Sequence, residues 1–187
     1  PGAVWGGEVE LHGRTNLMFG DLELGVWPNG STIVLYDLID PSHPKTEDAM
    51  LRCTVRGPRG AWGDGGQGDL TGWLTGIRAS GLGLGDDGSA VAAWRLEDAG
   101  RPAGQEHALF AATWPPGGGF RQPVRVSDWS DYTRVRPEGL AVGREGRPVA
   151  VLWEIMRANP FNEAVFFAEL ETGAFPVYVP LGLYRSP

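Results

Sequence analysis

The chain holds a single cysteine, Cys53, and a single lysine, Lys45, among its 187 residues. A lone cysteine excludes an internal disulfide and leaves cysteine usage silent about compartment. His12, His43 and His107 are scattered without metal-ligand spacing, and no serine or carboxylate pattern beside them builds a triad. No apolar run approaches the roughly twenty residues of a membrane-crossing helix, and no stretch has the build of a signal peptide. Basic residues are few and the formal net charge is −7, so no nucleic-acid partner is expected; little here would displace counterions from phosphates. Long helices are excluded as well. The 29 glycines and 15 prolines are dispersed along the chain, which suits many short strands joined by turns.

What is present is a repeat. Residues 80–94 read SGLGLGDDGSAVAAW, residues 23–36 read ELGVWPNGSTIVLY, and residues 139–153 read GLAVGREGRPVAVLW. The turn glycines Gly30, Gly88 and Gly146 are separated by two equal steps of 58 residues. A fixed period of that length marks a tandem array of one supersecondary unit. Trp5, Trp62, Phe120 and Phe175 form a second series, each following a glycine-containing turn.

Each unit is expected to be a four-stranded antiparallel sheet. A short apolar first strand (22–26, 82–84, 140–142) meets a tight turn at Asn29-Gly30, Asp87-Gly88 or Glu145-Gly146. Asn-Gly and Asp-Gly supply the positive φ angles that a two-residue hairpin demands. The second strands (32–36, 90–94, 149–153) are continuous apolar runs, so both faces of each sheet should be covered. Third strands are expected at 49–55, 108–113 and 164–170, after long polar loops. Fourth strands carry Pro123, Pro176 and Pro180, which belong on an outer edge because proline cannot donate to a ladder. The glycine-rich stretch after Trp62 is a doubtful strand by the same reading.

A short inner strand, two apolar middle strands and a proline-marked outer strand describe a propeller blade. The expected fold is therefore all-β, three blades on the 58-residue period at 20–77, 78–135 and 136–187, preceded by an outer strand within 1–19. Propellers close with roughly four to eight blades, so three leave a ring open. Either the chain, which opens at Pro1, is a piece of a longer propeller, or a second chain completes the ring as a two-fold dimer. The compartment stays open, with a secreted or cell-surface setting slightly favoured.

The segment Arg136-Pro137-Glu138-Gly139-Leu140-Ala141-Val142, followed by Gly146 and the run from Val149 to Glu154, resembles the opening blade of sialidases and their relatives. The Gly118-Gly119-Phe120 and Gly60-Ala61-Trp62 turns are similar to between-strand turns of that superfamily. The resemblance implies a propeller and an arginine cluster gripping a carboxylate, of which Arg136 alone can be carried over. The chain departs from the family in lacking the Ser-x-Asp-x-Gly-x-x-Trp box in all three units. Neither a tyrosine–glutamate nucleophile pair nor an aspartate acid can be placed.

Candidate ligand-binding residues follow from the repeat. Arg78 and Arg136 share one repeat position just ahead of the inner strand, where the first unit has Gly20 beside Asp21. Asp37, Arg95 and Glu154 end the second strands, and Trp129, Tyr132 and Arg134 lie in the link between the second and third units. Together they would line a polar, aromatic-rimmed mouth; guanidinium forks suit carboxylates, and aromatic faces stack on sugars. The competing reading is that these charges pair with one another and with loop backbone. No catalytic residue, metal or cofactor is assigned.

Other motifs resolve into ordinary structure. Residues 83–88 spell G-x-G-x-x-G, but a strand follows instead of a helix and two aspartates would repel a pyrophosphate. Asn29-Gly30-Ser31 spells a glycosylation acceptor that the hairpin already explains. Asp37, Asp40, Glu47 and Asp48 could hold calcium, against the simpler reading of a solvated loop. The function expected is a non-catalytic recognition module for a glycan or a protein. The alternatives are part of a sialidase-like glycoside hydrolase and an assembly subunit whose exposed sheets are its contacts.

Overall fold

A computed structural model describes residues 18–41, 48–71, 74–98, 100–103 and 105–127, and the strands 134–142, 149–156, 162–170 and 179–185. Among these residues the chain is all-β, antiparallel throughout and without a helix. The first sheet contains β1 (Met18–Val26), β2 (Thr32–Ile39), β3 (Asp48–Arg56), β4 (Trp62–Asp69) and β5 (Leu74–Thr75). The second runs β6 (Ile77–Leu84), β7 (Ala90–Glu97), β8 (His107–Trp114), β9 (Val124–Arg125). The third runs β10 (Arg134–Val142), β11 (Val149–Met156), β12 (Asn162–Leu170), β13 (Val179–Arg185). The three sheets follow one another along the chain, and among the described residues no strand of one hydrogen-bonds into another. Among the described residues they do not close into a ring.

Hydrogen bonds repeat with the sequence. In the first hairpin Trp27 N–H donates to Ser31 O at 2.9 Å and Gly30 N–H to Trp27 O at 2.8 Å. In the second, Gly85 N–H donates to Ser89 O at 2.9 Å and Gly88 N–H to Gly85 O at 3.1 Å. Gly30 and Gly88 adopt φ of 85° and 90°, the left-handed region, but as the last residue of the turns Trp27–Gly30 and Gly85–Gly88, so each loop has three residues where the sequence predicts a two-residue hairpin. A second repeated device is not evident from the sequence pattern. Thr71 Oγ1 accepts from Leu51 N–H at 3.0 Å, and Ser127 Oγ accepts from Leu109 N–H at 2.9 Å. Both hydroxyls are buried and satisfy a third-strand amide where the outer strand ends.

The core lies between the first two sheets. Because side chains alternate along a strand, Ile33, Leu35, Leu51, Cys53 and Val55 face Ala90, Ala92, Trp94, Ala112 and Trp114. The alanines let the sheets approach closely, and Trp94 stacks on Phe110 at 6.4 Å. Truncating a fully buried tryptophan such as Trp94 to alanine would cost about 3–5 kcal/mol. Trp27 ties the sheets together, its indole Nε1–H donating to Ser89 O at 2.8 Å and its ring meeting Trp114 at 6.4 Å. The opposite faces are also covered at their centres: Val34, Tyr36 and Leu38 on β2, and Val91 and Ala93 on β7, are buried. The continuous apolar reading of the second strands is thus correct for both. The first strands neighbour one another, β6 beside β1 and β10, while β10 also lies against β7 and β8.

Four further details differ from expectation. The glycine-rich stretch after Trp62 is a full strand, β4, because pairing with β3 supplies its backbone partners where side chains add little. The two-residue β5 continues along β3 past the end of β4, giving the first sheet a fifth strand. The outer strand of the second sheet is reduced to β9, immediately after Pro123. The first strands start well before their apolar segments, so Arg134 opens β10 instead of lying in a link. Each continues through a register shift at neighbouring repeat positions: Phe19 to Leu22, Arg78 to Gly81, Pro137 to Gly139. One extra first-strand residue there makes a β-bulge, which lets the strand bend and still pair.

Candidate functional site

The bulges define one end of the molecule, and the expected site residues stand there. On β6, Arg78 is the last paired residue before the bulge, and its cross-strand partner is Arg95 on β7. On β10, Arg136 stands at the same repeat position and faces Glu154 on β11, while Arg134 faces Met156. On β1 the equivalent position is Gly20. A side chain there would collide with the Asp37 carboxylate, so the missing Cβ is what admits that buried group. The candidate pairs of the repeat are therefore cross-strand neighbours in each sheet. Trp129 and Tyr132 lie outside the described residues.

The three pairs differ in charge. Arg136 and Glu154 are opposite charges at directly opposed positions, a pairing that contributes about 0.2–1 kcal/mol in a sheet. Arg78 and Arg95 are like charges at directly opposed positions, an arrangement that disfavours the sheet unless negative charge lies nearby. Arg95 is partly exposed. The first sheet carries acids at this end: Asp37, Asp21 and Glu23. Burial pushes the Glu23 carboxyl above its ordinary range, and the neighbouring Asp21 charge pushes it the same way. The end is thus acidic on β1 and basic on β6 and β10, three strands that are neighbours in space.

The opposite end, at the hairpin turns, holds a cleft of about 230 Å³ between the first two sheets. Trp27 and Trp114 form its floor and Asn29, Ser31 and Asp87 part of its rim. Its polar atoms serve the turns, since Asn29 Oδ1 accepts from Ser31 N–H at 2.8 Å and Asp87 Oδ1 from Ser89 N–H at 2.9 Å. The tryptophans are buried by each other and by Phe120, which meets Trp114 edge-on at 5.2 Å. The cleft is a packing seam. Among the described residues no cluster of three or more histidine, cysteine or acidic side chains could hold a metal ion; Glu47 of the acidic loop with Asp37, Asp40 and Asp48 lies outside them.

No protein-family model matches the chain, and no curated protein sequence matches it.

Proposed function

We propose that the chain is a non-catalytic recognition module whose three sheets are consecutive propeller-type blades, and that its bulged end takes a carboxylate-bearing ligand, a glycan or a protein. The blade reading is supported by sheets that follow one another in chain order, by neighbouring first strands and by a proline at the outer strand of the second and third sheets. The ligand reading rests on one observation. Arg78 and Arg136 occupy the same repeat position on adjacent first strands, and the position opposite Arg78 is a third arginine, Arg95. A carboxylate can accept two parallel hydrogen bonds from one guanidinium, so a cluster of such forks selects for anions.

The test is an array of acidic oligosaccharides, sialyllactose and uronic-acid oligomers, with lactose as the neutral control and polyglutamate as the peptide arm. Retention of acidic over neutral probes is expected. Arg78→Ala or Arg136→Ala should weaken it by about tenfold or more, the equivalent of one charged hydrogen bond. Unchanged retention in both variants would remove the site. Hydrolysis of sialyllactose by the intact chain would replace binding with catalysis.

A further inference from the structure

β1 carries the exposed apolar surface of the first sheet. Leu22, Leu24 and Val26 are 60%, 62% and 61% exposed, and Phe19 is 54% exposed. Their direction follows from Gly25. A Cβ on Gly25 would stand 2.5 Å from Leu84 Cδ1 and 3.1 Å from Leu82 Cδ2, so Gly25 faces the second sheet. The alternating residues Leu24 and Val26 therefore face away from it. Outward along the same face the surface turns polar, with the Arg52–Asp69 ion pair at 3.0 Å and Arg56 over the Trp62 ring at 5.5 Å. An apolar strip bordered by charged side chains is the build of a protein interface.

The repeat states what such a strip packs against. Leu82 and Leu84 stand 58 residues after Leu24 and Val26, in the same register against the second strand. In the second sheet they are seated over Gly25 of the sheet before it. Leu24 and Val26 accordingly require a preceding first strand with a small residue at the Gly25 position. The chain carries that position three times, as Gly25, Gly83 and Ala141. Gly25 is already covered by the second sheet, and Gly83 is buried on β6, which lies beside β10. Ala141 on β10, paired with Ala150 on β11, is the one whose following sheet is not among the described residues. Sizes compensate as well: where Gly25 meets Leu84, the larger Ala141 would meet the smaller Val26.

We infer that the β1 strip is a docking surface for the third sheet of a second copy of this chain, Leu24 and Val26 of one protomer seating over Ala141 of the other. The two-fold axis repeats the contact, so each copy gives its first sheet to the partner's third and six sheets share one assembly. This extends the blade reading of the preceding section and is independent of what the bulged end binds.

The experiment measures the mass of the full 187-residue chain by sedimentation equilibrium across a dilution series. Two chain masses are expected for the wild type. Leu24→Glu, at an exposed position, and Ala141→Leu should each halve the mass while leaving the far-ultraviolet circular dichroism unchanged. Mixing the two variants should restore part of the dimer, because one of the two contacts then joins unaltered surfaces. A chain carrying both Leu24→Cys and Ala141→Cys should cross-link to two chain masses on oxidation even if Ala141→Leu fails to fold; the native Cys53 is buried and will not compete. A wild type of one chain mass overturns the inference. So does a dimer lost with Leu24→Glu and not restored by mixing, which would mean that β1 pairs with its own copy. Failure here leaves oligosaccharide retention unaffected, and failure of retention leaves the mass unaffected.

Discussion

Gly76 is where the chain leaves the first sheet and enters the second, and replacing it should cost far more than replacing a hairpin glycine. Its φ is 74°, and a Cβ there would stand 2.5 Å from Glu97 Cβ and 2.7 Å from Glu97 O. Glu97 cannot retreat freely, because its N–H donates to Gly76 O at 3.0 Å. The left-handed backbone costs an alanine about 1–2 kcal/mol. Forcing Glu97 outward adds an overpacking cost of about 1–3 kcal/mol. Gly88 separates the two terms, since its φ is 90° but nothing lies within 4 Å of the added carbon. The gain from a stiffer unfolded chain is shared by both variants and cancels between them. Gly76→Ala should lose about 2–5 kcal/mol and Gly88→Ala about 1–2 kcal/mol. At this chain length that lowers Tm by about 10 °C for the first and about 4 °C for the second. Thermal and urea unfolding of the intact chain, followed by circular dichroism, reads both. Equal losses in the two variants would refute the claim that Glu97 is immovable.

Two further outcomes follow from buried groups. Trp27→Phe removes the indole donor and leaves the Ser89 carbonyl buried without it, for a loss of about 1–3 kcal/mol in urea unfolding; a loss under half a kilocalorie would mean water replaces the donor. Burial pushes the Cys53 thiol up to about 11, so the unfolded chain ionises first as pH rises past 9. Stability should then fall by up to about 1.4 kcal/mol per pH unit between those values, and be unaffected by this group below 9. Cys53→Ala should lack that slope, which separates it from Tyr36, whose hydroxyl burial also pushes upward.

Part of the candidate site is legible in spacing alone. The step from Arg78 to Arg136 places both on equivalent strand positions, and Arg95 and Glu154 emerge opposite them because the hairpin turns differ by a single residue. Charge pairing is not legible, since it depends on which position of the second strand is opposite, and the bulge decides that. The surface on β1 is hidden for a different reason. Leu22, Leu24 and Val26 read only as part of a short apolar first strand, and nothing in the pattern says that the face they share with buried Val34 and Tyr36 is open at its edge.

The residues themselves determined the turns and the middle strands. Asn29-Gly30 and Asp87-Gly88 need only their own backbone to set a hairpin, and an unbroken apolar run needs only burial to become a covered strand. Tertiary structure decided β4, β5 and the extended first strands. Such segments have little conformational preference of their own, and they become strands where a neighbour already holds hydrogen-bonding groups in line to receive them.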